Sequence, residues 1–139
     1  MAYIIQVNPV DLETNVALGL DLPMSAAHGA QFKQNYLSID QAVANAKNLL
    51  KTEPGERLML PQYGCGLRRT LFEQLTDEAV ATLRNRIEQN FATFLPYIFI
   101  SELNITPKPD ENKLLVQLTI GLSETGLDRR AILIETTNG

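Results

Sequence analysis

The sequence predicts an α+β fold in which two main helices, near residues 39–51 and 77–94, pack on a small, mainly antiparallel sheet behind an extended N-terminal arm. Three observations predict it. Apolar residues recur at helical spacing in two stretches, the spacing changes to alternation from Ile98 onward, and a connector crowded with proline and glycine separates the helical stretches. Residues 1–37 are read as the arm and 38–139 as the domain.

The arm is interrupted by Asn8-Pro9, Gly19, Pro23 and Gly29 and sustains neither period, so only short elements are expected, packed across the chain's own body or reaching a neighbour. Ser38-Ile-Asp-Gln41 has the form of a capping box, with the Ser38 hydroxyl opening the first helix and Gln41 reaching back. Ile39, Val43, Ala46 and Leu50 then share a face, widened by Ala42 and Leu49. Thr70 to Leu75 reads as a helical turn, and Thr76 caps the second main helix, with Asp77 and Glu78 at the positive end of its dipole. Val80, Leu83, Ile87, Phe91 and Phe94 form its core stripe, Arg84, Arg86, Glu88 and Gln89 its wet side, and Pro96 ends it.

Phe99–Thr106 and Lys113–Gly121 read as a hairpin with a six-residue loop, and Leu114, Val116, Leu118 and Ile120 share one face of its second strand. After a turn region over 123–128, Arg130–Thr137 is a third strand with Ile132 and Ile134 inward. If that strand lies at the sheet edge, its unpaired backbone groups offer a strand of another subunit a place to add.

The connector, Glu53 to Leu67, has a derivable geometry. Pro54 holds Glu53 out of the helical region, Pro54-Gly55 favours a type II turn, and Glu56 to Leu60 has an extended look. Pro61 excludes a central strand, and Gly64 and Gly66 supply positive φ or a close backbone approach.

Composition bounds the chemistry. The 139 residues suit one modest core, and 45% apolar with 20% charged residues is ordinary for a water-soluble domain. A net charge of −4 speaks against a nucleic-acid surface, leaving Arg68-Arg69 and Arg129-Arg130 as solvated pairs or as pairs aimed at an acidic protein. A single cysteine forms no internal disulfide, and with His28 alone it makes no zinc set. No run is apolar enough to span a bilayer, and Met1–Val7 lacks the features of a signal peptide, so synthesis in the cytosol is expected.

The catalytic options are thin. Glu53, Glu56 and Glu73 could serve a glycosidase as acid and base, but Glu53 and Glu56 flank Arg57 and are read first as solvated or paired charges. Cys65 between two glycines lacks an activating histidine and is read as a small buried thiol. His28, without titratable companions, is read as structural.

The run Leu49-Leu-Lys-Thr52-Glu-Pro-Gly-Glu-Arg57-Leu-Met-Leu-Pro61-Gln-Tyr-Gly-Cys-Gly-Leu67, followed by Leu71-Phe72-Glu73, resembles the signature of the baseplate wedge family of contractile tails. This is the group of the T-even gene-25 protein, with TssE its type VI secretion counterpart, and the likeness runs from about Gly19 to the last strand. It implies a structural, non-enzymatic subunit with no cofactor and no metal, housed in the virion tail baseplate and made in the host cytoplasm. One part of such a domain docks on the helical core of the wedge, and the C-terminal strands seed the first ring of sheath by strand addition.

The partners so implied are other baseplate wedge proteins and the tail sheath protein, with the tail tube or hub as further candidates, and neither nucleic acid nor membrane. The sheath contact would fall on Arg130, Ile132, Ile134 and Thr136. Pro54, Gly55, Arg57, Pro61, Gly64 and Gly66 would form the structural loop. Where the family usually carries Glu-Pro-Arg after the second main helix, this chain has Leu95-Pro96-Tyr97, so an apolar or aromatic contact with the wedge core replaces a charged one. Members were long labelled lysozymes, which keeps a peptidoglycan-cleaving role for Glu53, Glu56 or Glu73 as the alternative.

Overall fold

The computed structural model describes residues 17–22, 24, 26–27, 31–32, 34–122 and 129–137. His28, Asn8-Pro9, Pro23, Gly29, the opening Met1–Val7 and the turn expected over 123–128 lie outside them. In chain order the elements are β1 (Gly19–Leu20), β2 (Ala26–Ala27), β3 (Gln31–Phe32), β4 (Gln34–Asn35), α1 (Ser38–Lys51), α2 (Leu67–Phe72), α3 (Asp77–Phe94), β5 (Phe99–Lys108), β6 (Lys113–Gly121) and β7 (Arg129–Thr137). The three helices lie over one face of an antiparallel sheet ordered β5-β6-β7, while β1 pairs with β4 and β2 with β3 in two short ladders.

β6 is the middle strand and carries the alternation most cleanly. Leu114, Val116, Leu118 and Ile120 are all buried, each contributing about 1.5–3 kcal/mol of transfer free energy. Leu103 of β5 and Ile132 and Ile134 of β7 complete the sheet's inner face. Against it lie Ala42, Ala46, Leu49 and Leu50 of α1, Leu67 and Leu71 of α2, and Leu83, Ile87 and Phe91 of α3.

Several boundaries differ from the sequence expectation. α1 takes Leu37 as its N-cap, whose side chain makes no capping bond. The Gln41 amide accepts from Asn35 Nδ2 at 3.2 Å and donates to Asn45 Oδ1 at 2.9 Å, so it fastens β4 to the helix and is not the reach-back arm of a capping box. The chain near Gly19 lies against the same Gln41, and Lys47 Nζ donates to the Leu22 carbonyl at 3.1 Å, so residues 19–22 pack on α1.

α2 begins at Leu67, not Thr70, for a reason given below. Thr76 caps α3 as expected, accepting from the Ala79 amide at 3.2 Å. Ladder pairing continues to Lys108↔Lys113, which shortens the expected six-residue loop to residues 109–112. There Asn112 takes φ +50°, a left-handed conformation that asparagine tolerates. Residues 57–60 are not extended, because the Leu60 amide closes a turn on the Arg57 carbonyl at 3.3 Å.

Gly64 makes a close backbone-to-backbone approach. At φ +127° its ideal Cβ would lie 2.5 Å from the Thr52 carbonyl oxygen and 2.9 Å from the Glu53 carbonyl carbon, both backbone atoms that cannot swing aside. Gly55, at φ +91°, has no atom within 4 Å of its Cβ position. Gly64→Ala should therefore cost roughly 3 kcal/mol or more in denaturant unfolding, against about 1 kcal/mol for Gly55→Ala, whose only penalty is conformational. Equal losses at the two sites would contradict the contact.

Candidate assembly surfaces

The connector is braced at every turn. Glu56 N–H donates to the Glu53 carbonyl at 3.2 Å across Pro54-Gly55, the expected type II turn, and Gly55 N–H donates to the Pro61 carbonyl at 2.9 Å. The chain then returns alongside the end of α1, where Cys65 N–H donates to the Thr52 carbonyl at 3.2 Å. Gly64 N–H is taken by Asn90 Oδ1 of α3 at 3.2 Å, and Asn90 Nδ2 donates to the Arg86 carbonyl at 2.9 Å. Asn90 is thus a buried polar post between connector and helix.

Glu53 and Arg57 both have structural employment. Gly66, at φ +70°, is the N-cap of α2 and has no side chain with which to cap, so Glu53 Oε1 accepts from the Arg68 amide at 2.9 Å instead. That borrowed cap lets α2 start at Leu67. The Arg57 guanidinium sits 4.1 Å from the centre of the Tyr63 ring, and Tyr63 meets Phe94 edge-on at 5.1 Å. Arg86, expected on the wet side of α3, turns its Nη1 to within 3.0 Å of the Gly66 Cβ position. Cys65 is fully buried beneath this assembly. Burial pushes its thiol up to about 12, with Arg86 opposing and Glu53 adding to the shift.

The three candidate catalytic carboxylates are only partly brought together. Glu53 and Glu73 line one shallow, open depression with Arg68, Arg69 and Phe72, whereas Glu56 sits on the exposed Pro54-Gly55 turn. With Glu53 occupied as a helix cap, the depression has no free acid–base pair of the kind glycoside cleavage needs. Among the described residues no cluster of His, Cys, Asp or Glu could hold a metal ion.

The two expected contact regions are reshaped by burial. Leu95, with its N–H on the Phe91 carbonyl at 2.9 Å, is buried in the core, so at the corner only Pro96 and Tyr97 face outward. The Tyr97 hydroxyl accepts from Asn45 Nδ2 at 2.7 Å, tying the corner to α1. On β7, Ile132 and Ile134 are buried against the helices, Thr136 is half-buried and Arg130 exposed. Leu133 projects from the opposite face and is 62% exposed.

The two sheet edges are not alike. β5 carries Pro107 and a register shift between Ile100 and Glu102, devices that discourage an added strand. β7 pairs with β6 over nine residues without a shift and contains no proline. A third exposed feature lies where sequence periodicity gives no signal, at the tip of the connector: Leu58 and Met59 are 96% and 92% exposed.

Comparison with known proteins places this geometry. The family model of the baseplate wedge protein gp25 matches residues 38–126, well over half of the chain. The chain belongs to the gp25 baseplate wedge family. It is 26% identical over 87 residues to the baseplate wedge protein gp25 of Enterobacteria phage T4, a match covering 63% of this chain and 66% of that protein. The chain thus spans just under two thirds of its T4 relative. A chain of the anti-feeding prophage baseplate superposes with a TM-score of 0.62 at 29% identity, covering 74% of this chain and 82% of that one.

A Geobacter sulfurreducens protein labelled a tail lysozyme gives 0.59 at 22% identity, covering 72% and 91%, a likeness that shows the fold alone. The family resemblance expected from the connector is therefore borne out, as is the α+β arrangement of helices on an antiparallel sheet. The gp25 match stops at residue 126, ahead of β7.

The raised thiol has a checkable sign. Because its folded value of about 12 lies above the ordinary 9.0, the Cys65 contribution to stability is complete below about pH 9 and is lost as pH rises toward 12. Unfolding free energy should fall more steeply between pH 9 and 11 for the natural chain than for Cys65→Ala. Native protein at pH 8 should also resist a disulfide reagent that modifies the unfolded chain.

Proposed function

We propose that this gp25-family subunit docks in the baseplate wedge through its Pro96-Tyr97 corner and starts the tail sheath at the free edge of β7. The observation that carries the reading is the contrast between the edge of β5, interrupted by Pro107 and a register shift, and the edge of β7, which has neither and no second strand neighbour among the described residues. In an antiparallel strand alternate residues direct both N–H and C=O to one side, so β7 keeps half of its backbone groups for an incoming strand. Arg130, Ile132, Ile134 and Thr136 then act differently from one another. Ile132 and Ile134 anchor the strand to the core, while the sheath strand meets the backbone and the exposed Arg130, Leu133 and flank of Thr136.

The partners are other baseplate wedge proteins and the sheath protein, with the tail tube or hub next in reach, in the baseplate of a contractile tail assembled from a subunit made in the host cytoplasm. The anti-feeding prophage chain, which belongs to a baseplate, supports this setting. Loss of the family's two corner charges shifts docking toward the Tyr97 ring, held in place by Asn45. Residues 38–139 act as the assembling domain, with β1 and β4 of the preceding arm laid on α1.

Deleting β7 would remove two core isoleucines and confound folding with assembly, so the test uses exposed positions. Ala131→Lys with Leu133→Lys places charge along the edge, as natural edges do to refuse a partner. Baseplates should form with this variant while extended sheath is lost in electron micrographs; normal sheathed tails would overturn the reading. The enzymatic alternative rests on the shared depression of Glu53 and Glu73. A peptidoglycan zymogram should show no clearing, and clearing abolished by Glu53→Gln or Glu73→Gln would favour the enzyme.

A further inference from the structure

We infer that Leu58 and Met59 form a rigid plug that seats in an apolar groove, with a basic residue at its rim, on a different protein of the same baseplate. This rests on the baseplate reading and adds a contact to it. Isolated exposed apolar side chains are ordinary on protein surfaces. Here two adjacent large ones stand almost wholly in water on a turn that is not free to fold them away, and Leu60 beside them is 46% exposed.

The tip is held from both sides. The Glu56, Gly55, Leu60 and Tyr63 amides each donate to a carbonyl within the turn system, at 3.2, 2.9, 3.3 and 3.1 Å. Arg57 lies over Tyr63 on one flank, and Gly64 is fixed to Asn90 where the loop returns. A shape already fixed loses little conformational entropy on binding, so the apolar contact area is not spent on ordering the loop. None of these braces needs Leu58 or Met59, whose side chains are thus expendable for the fold.

The occupant follows from shape and charge. A convex two-residue tip calls for a concave site, such as the groove between two helices of a partner. The Glu56 carboxylate at its base is exposed and has no partner among the described residues, so it calls for a lysine or arginine at the rim of that groove. A lipid surface fits poorly, because the tip's one cation is engaged over Tyr63 and the chain carries a net charge of −4. A second copy also fits poorly, since its depression at Arg68, Arg69 and Phe72 is shared with the carboxylates of Glu53 and Glu73.

The test replaces Met59 with a photo-cross-linking amino acid in the intact tail and maps the products by mass spectrometry. A cross-link to another baseplate protein, at apolar residues flanked by lysine or arginine, is the expected result. Leu58→Ser with Met59→Ser should leave the melting temperature within about 2 °C of the natural chain, while the subunit recovered in purified baseplates falls about ten-fold or more. Glu56→Lys should also lower that recovery. Cross-links to this chain or to lipid, no cross-link, or full recovery of the double variant would each overturn the plug, with the baseplate reading intact because the natural chain is in the particle. A natural chain missing from purified baseplates would overturn both.

Discussion

The structure depends on a backbone-to-backbone contact. Where the connector returns past the end of α1, Gly64 leaves no room for a β-carbon against Thr52 and Glu53, and Cys65 bonds the Thr52 carbonyl. That approach sets the distance between the end of α1 and the start of α2, and Asn90 holds the same glycine to α3. Three helices are positioned by a few atoms of main chain and one buried amide. The core side chains fill the space so defined, and the sheet packs on the result. A packed interior resists small displacements, so an error at this seam is passed to the whole helical layer.

The connector also shows how one segment can be constrained and exposed at once. Its ends are buried and bonded, and its middle stands in solvent. Glu53 closes the N-terminus of α2, and Arg57 covers Tyr63, so of the connector's charges these two are used in holding the chain's path. The large apolar side chains left in solvent include Leu58 and Met59 at the tip, Tyr97 at the corner and Leu133 on the outer face of β7.

Periodicity revealed the elements whose burial is regular. β6 alternates because one face meets the helices, and α1 and α3 carry stripes wide enough to be read residue by residue. The Pro54-Gly55 turn and the Thr76 cap were readable because each needs only local chemistry. What could not be read required a partner distant in sequence. Asn35 takes Gln41 away from a capping box, and Glu53 starts α2 three residues earlier than Thr70 suggests, from fourteen positions upstream of Leu67. Asn90 has no local signal, since its role exists only once Gly64 is beside it. The family's connector motif was recognisable because a backbone path this tight admits few residue types, whereas Leu58 and Met59 stay invisible to periodicity in a segment that has none.

β7 belongs to the interior through Ile132 and Ile134 and to the surface through its outer edge. Any strand that joins that edge is therefore coupled to the folding equilibrium of the whole domain: by mass action it stabilises the folded state, and unfolding would require its release. A pull on the joined strand along its length would be shared among ladder hydrogen bonds in parallel and passed into the packed core. In such a joint the mechanical strength of the attachment and the cohesion of the protein are the same quantity.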